Sequence, residues 1–177
     1  MSSLDILKDL FKHMHWADAT IWETVLSIPD VNNNEQLKTL LYHLHITQYA
    51  FFHIWSNLSR DFPKKSDFKT IQEVATWASK YPDLAESFLA ELRDEDLGKV
   101  IHIPWSERLE KVLGRKPAQS NLTETMIQVT AHSSYHRGQV NSRIREINVD
   151  PPMVDFIAWV WLGKPEADWP ETVTPDS

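Results

Sequence analysis

The sequence predicts an all-α fold, an antiparallel four-helix bundle with a short fifth helix near the C-terminus. Three observations lead to this prediction. Apolar residues recur at spacings of three and four along four long stretches, which is the pattern of a buried helical face. Residues suited to N-caps precede these stretches. Glycine, which a fold of many tight hairpins needs, occurs only four times in 177 residues. Residues 1–163 are predicted to form one domain, and residues 164–177 an extended C-terminal tail.

Four helical stretches follow one another along the chain. They are predicted over residues 4–27, about 35–58, 70–97 and 121–147, and Pro82 marks a kink or a new segment within the third. Side chains that accept a hydrogen bond from the first helical turn precede each stretch. The predicted N-caps are Ser2 or Ser3, Asn34, Thr70 and Asn121.

The remaining segments are shorter. Residues 99–105 alternate weakly between apolar and polar side chains and, with residues 108–114, are predicted to form a short hairpin or an irregular loop. The stretch 153–163 is apolar enough for the short fifth helix. The tryptophans in and after that stretch have three open interpretations: they close a cavity, cover the end of the bundle or form a dimer interface.

Composition and charge disfavour several classes of protein. The formal net charge is −7, which argues against nucleic acid and anionic membranes as partners. No segment approaches the ~20 apolar residues of a membrane span, and the N-terminus lacks the cationic start and apolar run of a secretion signal. We therefore predict a cytoplasmic protein. Because the chain has no cysteine, a metal site would have to use His, Asp and Glu.

Two histidines of the fourth helix are spaced to act together. His132 and His136 are four residues apart, so both project from one helical face. Because that face also carries Met126 and Val129, we predict that it is the buried one. A neutral imidazole in an apolar seam needs partners for its ring nitrogens, and a shared divalent ion supplies one for each ring. Two ligands from one helix do not complete such a site.

The second helix offers candidates for the third ligand, within the stretch LLYHLHITQYAFFHIW. His43 lies on a line with Leu40 and Ile54, whereas His45 lies on a line with Leu41. Both lines are partly apolar. Periodicity therefore leaves the choice between His43 and His45 open.

Three short motifs, in order along the chain, resemble one known family. They are WADATIW in the first helix, LLYHLHITQYAFFHIW in the second, and HRGQ, which begins at the second histidine of the H-x-x-x-H pair, in the fourth. Together they resemble the DinB-like, YfiT-related family over about residues 4–162. The resemblance implies a metal triad of His43, His132 and His136, an up-down-down-up helical bundle, and a homodimer.

Three further residues near the predicted site leave alternatives open. Asp18, an acid within the apolar stripe of the first helix, either accepts a hydrogen bond from a metal-bound histidine or lies on a solvent-facing turn. Gln48 stands where members of that family often carry an acid, so the surroundings of the ligands differ here. Arg137 points about 100° away from His136. It serves an interface, an anionic substrate group or, most simply, a surface salt bridge.

The predicted chemistry follows from the ligands. Three neutral imidazoles and no thiolate favour zinc, nickel or another late divalent ion. The resemblance implies that a low-molecular-weight thiol is the cosubstrate and that the whole thiol is transferred, through its sulfur, to an electrophilic small molecule. Hydrolysis by an activated water is the second hypothesis. A non-catalytic metal-binding protein, acting in the stress response or in protein interaction, is the third.

Overall fold

The computed structural model describes residues 2–173, which are mainly helical. The helices are α1 Ser3–Leu26, α2 Glu35–Trp55, α3 Ile71–Ala78, α4 Tyr81–Glu91, α5 Glu110–Leu113, α6 Leu122–Glu146 and α7 Phe156–Trp161. Two short strands, β1 Val100–Ile101 and β2 Ser120–Asn121, pair antiparallel. Short 3₁₀ turns occupy Val31–Asn33, Lys65–Asp67, Asp94–Asp96, Ser106–Leu109 and Glu171–Val173. The predicted all-α class is confirmed. Within residues 2–173, no helix has both the length and the apolar composition that crossing a membrane requires.

Side chains cap the longer helices where the sequence predicts. Ser2, Asn34, Thr70 and Asn121 accept hydrogen bonds from the first turns of α1, α2, α3 and α6. At α6 the exchange is reciprocal, because the Glu124 carboxylate accepts from the Asn121 N–H at 2.8 Å. Each such cap satisfies a backbone donor that has no partner within the helix, and is worth ~1 kcal/mol. Capping therefore accounts for where these helices begin.

Helix α2 packs against α6, α3 and α4, and side-chain contacts join it to α1. The order of paired contacts gives the helix directions, because residue numbers rise together along parallel helices and oppositely along antiparallel ones. By this measure α2 runs opposite to α1 and α6, and in the same direction as the consecutive α3–α4 segment. The pairs are Phe11–Trp55 and Trp22–His45 for α1, Trp55–Thr125 and His43–His136 for α6, and Tyr42–Trp77 and Trp55–Phe88 for α3 and α4.

The structure decides two alternatives that the sequence leaves open, a kink or a new segment at Pro82 and a short hairpin or an irregular loop after Lys99. The third helix is divided, since α3 ends at Ala78 and α4 begins at Tyr81, with Pro82 in the first turn, where proline costs no hydrogen bond. Strand β1 pairs with β2, which directly precedes α6, and not with residues 108–114. The latter belong to a 3₁₀ turn and to α5. The short hairpin predicted between residues 99–105 and 108–114 is therefore wrong, because β1 pairs instead with residues 120–121.

Two hydrophobic clusters fill the interior, one toward each end of the long helices. Between them, α1, α2 and α6 bury a layer of polar side chains that includes Asp18, His45, Gln48, Ser133 and Arg137. Buried polar groups cost free energy unless they are hydrogen-bonded, so the side chains of this layer need hydrogen-bond partners within the protein. Members of the first cluster include Phe11, Tyr49, Phe52 and Met126, and members of the second include Trp22, Leu41, Val140 and Ile144.

Residues 164–173 contain one short 3₁₀ turn but are held against the helices. Val173 is buried, and Ser79 Oγ donates a hydrogen bond to its carbonyl oxygen at 3.3 Å. The 3₁₀ turn of this segment therefore packs against α3, while residues 174–177 lie outside the described part of the chain. The division between a domain at 1–163 and a tail stays a prediction.

Candidate metal centre

The buried face of α6 is formed by a stripe of side chains that does not include its two histidines. His132 and His136 each precede a member of this stripe, and both are only half-buried. The prediction that these imidazoles lie on the buried face is therefore wrong, because they lie at its edge, rotated by about 100°. The stripe includes Leu122, Met126, Val129, Ser133, Arg137, Val140 and Ile144.

Three histidines from two helices meet at this edge. The Nε2 atoms of His132 and His136 are 3.1 Å apart. The ring centroid of His43, on α2, lies 4.4 Å from that of His136 and 5.4 Å from that of His132. One ligand nitrogen from each ring lies within 4.8 Å of the other two. Nitrogens bound to one tetrahedral ion at about 2.1 Å are about 3.4 Å from one another, so the 3.1 Å between His132 and His136 is close to the separation at a shared ion.

Gln139 orients His136. Its Oε1 lies 2.7 Å from His136 Nδ1. Because an amide oxygen only accepts, Nδ1 carries the proton, which leaves a lone pair on the Nε2 that faces His132. Metal-binding histidines commonly donate their second N–H to such an oxygen, which fixes the ring orientation and raises the basicity of the ligand atom.

The surroundings favour the neutral imidazoles of His132 and His43. Burial, followed by the neighbouring His136 and His43, lowers the pKa of His132 to about 4. Partial desolvation of the His43 ring, and then the neighbouring His136, also lower the pKa of His43. Neutral rings keep their lone pairs available near neutral pH, as metal ligands must. The donor set therefore fits a divalent ion in both spacing and protonation.

The cluster can hold an ion and leave one side open. His43 is exposed, whereas His132 and His136 are half-buried. Tyr135, which is 65% exposed, lies edge-on to His136 with ring centroids 5.0 Å apart. Three protein ligands with an open fourth position are typical of catalytic zinc sites, whereas structural sites are closed by four.

His45, the alternative ligand in α2, has other partners. It is 1% exposed, its Nε2 accepts from the Trp22 indole N–H at 2.8 Å, and its Nδ1 lies 2.8 Å from Gln48 Oε1. Both ring nitrogens are therefore used inside the core. Of the two candidates that periodicity leaves open, the structure brings His43 to the histidines of α6 and keeps His45 away from them.

Asp18 is buried and contacts side chains other than the clustered histidines. Its Oδ1 accepts from Arg137 Nη1 at 2.8 Å, and its Oδ2 accepts from Gln48 Nε2 at 2.7 Å. The solvent-facing alternative for Asp18 is therefore wrong, and neither of these hydrogen bonds comes from a clustered histidine. Arg137 is 2% exposed and also donates to Ser134 Oγ at 2.9 Å. The predicted surface salt bridge of Arg137 is thus a buried one.

The hydrogen bonds of the polar layer have one consistent direction. A carboxylate only accepts, so the Gln48 amide nitrogen faces Asp18 and the amide oxygen faces His45. His45 then carries its proton on Nδ1 and accepts from Trp22 at Nε2. Gln48 Nε2 also donates to Ser133 Oγ at 3.1 Å. Gln48 therefore links α1, α2 and α6 next to the histidine cluster.

The roles of Arg137 and Gln139 were not predicted from the sequence, although the sequence contains a signal for each of them. Arg137 falls in the three-and-four spacing of Val140, and an acid in the apolar stripe of α1 calls for a buried cation. Gln139 follows His136 by three residues, a separation at which side chains on one helix meet. Both signals become specific only when the facing helix is known.

Comparison with models of known protein families identifies a family for this chain. The model of a protein family, described as the DinB family, matches residues 1–167. A search of curated proteins finds no match to the chain. Because the family match spans every helix from α1 to α7, it concerns the whole helical part of the chain and not a single motif.

Proposed function

The chain belongs to the DinB family, and from this premise we propose that it is a metal-dependent enzyme whose divalent ion is held by His43, His132 and His136. The observation that carries the proposal is the convergence of three imidazole nitrogens within 4.8 Å of one another, at an edge that is open to solvent. The reaction that we propose is the transfer of a low-molecular-weight thiol to an electrophilic small molecule.

Zinc or nickel suits the ligand set best. All three donors are imidazole nitrogens, which late divalent ions prefer, whereas magnesium and calcium prefer oxygen. Within the chain, Gln139 keeps His136 in the tautomer that offers Nε2, and burial keeps His132 neutral. When bound, such an ion supplies a positive charge that favours the thiolate form of an incoming thiol.

The proposed reaction balances without a further reactant. The S–H bond of the thiol breaks and its proton passes to solvent. The sulfur forms a bond to the electrophilic carbon, and the leaving group departs with the electron pair of the bond that breaks. The contribution of the chain is to present an open edge, where exposed His43 leaves room for both reactants to approach.

Hydrolysis is less well supported by the same geometry. A hydrolytic site needs a base that takes the proton of the attacking water. Asp18 is the one inward acid that the sequence suggests, and its two oxygens accept hydrogen bonds from Arg137 and Gln48. Asp18 is therefore not free to act as that base. Thiol transfer does not need it, because the thiol proton can leave to solvent.

We also propose that α1, α2, α6 and the α3–α4 pair form an up-down-down-up bundle and that two copies of the chain form a homodimer. The helix directions support the bundle. Helix α7 supports the dimer, because several of its apolar side chains are uncovered, and a large exposed apolar patch is typical of an interface. The side chains are those of Phe156, Ile157 and Trp161, with Leu162 just beyond the helix, and their exposure ranges from 40% to 78%.

Elemental analysis of the purified protein tests the metal site. We expect about one zinc or nickel ion per chain. His132→Ala should lose the ion but keep the helical circular dichroism spectrum, because His132 is only half-buried. His102→Ala is the matched control, since His102 is exposed and lies outside the cluster, and it should retain the ion.

Activity is then measured on the metal-loaded protein with several small thiols, a panel of electrophiles and a panel of esters. Thiol consumption that disappears in His132→Ala supports the transferase. Ester hydrolysis without thiol consumption would contradict the proposed transferase and indicate a hydrolase instead. A full complement of metal with no turnover of either class would leave a non-catalytic metal-binding protein of the stress response or of protein interaction.

A further inference from the structure

A cavity of about 580 Å³ lies between α2, α6 and the segment that joins α4 to α6. Phe51 of α2 lines it, and Trp105 stands against Phe51 with ring centroids 5.5 Å apart at an angle of 85°. Leu109 and Leu113 also line the cavity, although they are 47% and 55% exposed. A cavity of this volume, with aromatic and leucine side chains in its wall, is typical of a small-molecule site.

The cavity begins one helical turn away from the histidine cluster. Gln128 lines it and precedes His132 by four residues, so the two side chains share a face of α6 and are about 6 Å apart along the helix axis. On α2, Phe51 follows His43 by about two turns. Because α2 and α6 run antiparallel, both helices lead from the cluster toward the same cavity.

The outer wall of the cavity is anchored to the start of α6. The N–H of Leu122 donates to the carbonyl of Lys99 at 2.9 Å, and the N–H of Thr123 donates to the carbonyl of Leu97 at 3.2 Å. Strand pairing between β1 and β2 continues this attachment. Both ends of the segment 102–119 are therefore held at the start of α6. This segment, which carries Trp105 and α5, forms the outer wall of the cavity.

The charged groups in the lining favour an uncharged ligand. Lys116 and Glu107 are of opposite sign, and both are exposed to water. Glu124 is already engaged in the cap of α6, where it accepts from the Asn121 N–H. The side chain nearest to the cluster along α6 is the neutral amide of Gln128. The lining thus offers apolar contact in its wall and a hydrogen-bonding group toward the cluster.

We propose that this cavity binds the electrophilic substrate, and that the substrate is an uncharged molecule with an aromatic or branched apolar body of one or two rings. Its reactive group lies toward Gln128 and the histidine cluster. The assignment to an electrophile rests on the proposed thiol transfer, whereas the class of ligand rests on the cavity itself. Low-molecular-weight thiols are polar and charged, so a wall of Phe51, Trp105 and leucines suits the other reactant.

Fluorescence titration with N-phenyl-1-naphthylamine, an uncharged two-ring probe, tests the cavity in metal-free and metal-loaded protein. Leu113→Glu should weaken probe binding ~10-fold or more, because the bound apolar probe would remove water from the new carboxylate without offering it a partner. Val112→Glu is the matched control: Val112 adjoins Leu113 in α5, is 82% exposed and does not line the cavity. It should leave the dissociation constant within ~2-fold of the original.

Equal effects of the two α5 substitutions would overturn the proposal, because the probe would then bind elsewhere. The sulfonate analogue 1-anilinonaphthalene-8-sulfonate tests the charge assignment. It should bind no more tightly than the uncharged probe, and a ~10-fold preference for the sulfonate would overturn the assignment of an uncharged ligand.

Metal content and probe binding distinguish failure of the proposed metal site from failure of the proposed ligand site in the cavity. Loss of the ion in His132→Ala should leave probe binding unchanged, because His132 does not line the cavity. In the metal-loaded protein, Leu113→Glu should raise KM for an aromatic electrophile and leave KM for iodoacetamide, which is small and polar, unchanged. If the protein binds the probe in this way but holds no metal, the proposed metal-dependent enzyme is refuted, whereas the proposed ligand site in the cavity stands.

Discussion

Arg137 Nη1 donates a hydrogen bond to Asp18 Oδ1 at 2.8 Å, and both side chains are 3% exposed. The pair joins α6 to α1 at the residue that directly follows His136. Removing two charges from water is costly, so a buried ion pair is weak evidence for added stability. We infer that this pair fixes how α6 is seated on α1, and with it the position of His136 at the edge of the interface.

Removing the cation of this pair should destabilise the protein strongly. Arg137→Met leaves Asp18 as a buried charge without its partner, and we expect the free energy of unfolding to fall by about 3–5 kcal/mol in urea denaturation. Arg143→Met is the control, because the Arg143–Glu146 pair is 28% and 58% exposed and is worth ~1 kcal/mol or less. Similar losses in the two variants would contradict the role of the buried pair.

His43 and His45, two residues apart in α2, should give opposite phenotypes. His43→Leu removes an exposed ligand, so we expect loss of the metal and a change in metal-free stability of only ~0.5 kcal/mol or less. His45→Leu leaves the Trp22 indole N–H and the Gln48 amide oxygen without their partner. It should cost about 1–3 kcal/mol and retain the metal.

Elemental analysis and urea denaturation of both variants provide the two measurements. The phenotypes serve as controls for each other, because the substitutions are chemically identical and differ only in position. Metal loss in His45→Leu with metal retained in His43→Leu would show that the ligand in α2 had been assigned to the wrong histidine.

Gln139 should control metal affinity without touching the ion. Gln139→Leu removes the acceptor for His136 Nδ1–H, and removal of such a partner lowers metal affinity about 10–100-fold. Gln139→Glu retains an acceptor oxygen and should keep the affinity at least as high as in the original protein. Competition with a chelator of known affinity measures both variants. An unchanged affinity in Gln139→Leu would mean that the hydrogen bond does not orient the ligand.

The helices and the histidine spacing could be predicted because they depend on residues close together in sequence. The edge position of the imidazoles could not, because the faces of His132 and Ser133 differ by a single residue and Val129 lies between them in angle. Arg137 was expected at the surface because arginine is rarely buried without a partner. Its partner, Asp18, is 119 residues earlier in the chain, and only the packing of α1 on α6 reveals the pair.

The metal-free protein should lose stability in mild acid. Burial lowers the pKa of His45 from its ordinary value of 6.5, and the pKa of His132 is about 4. Histidines of the unfolded chain titrate near pH 6.5, so at lower pH the unfolded state binds more protons than the folded state. Stability therefore decreases as the pH falls from about 6.5 toward about 4.

Thermal unfolding of metal-free protein at several values between about pH 7 and about pH 5 measures this dependence. Tm should fall progressively, and it should fall less steeply in His45→Gln, which carries no group that titrates at that position. A series between about pH 7 and about pH 8 is the control, where little change in Tm is expected. A Tm that rises toward pH 5 would contradict the direction of the pKa shifts.

Trp161 should be required for the homodimer. It is 78% exposed at the end of α7, whereas Trp159 of the same helix is fully buried, so Trp161 can be replaced without loss of core packing. Trp161→Glu would place a charge in an apolar interface, where it has no partner. Light scattering should give twice the chain mass of 20.6 kDa for the original protein and the single-chain mass for the variant. Val112→Glu, at an exposed apolar site in α5, should remain dimeric, and a monomeric original protein would refute the interface.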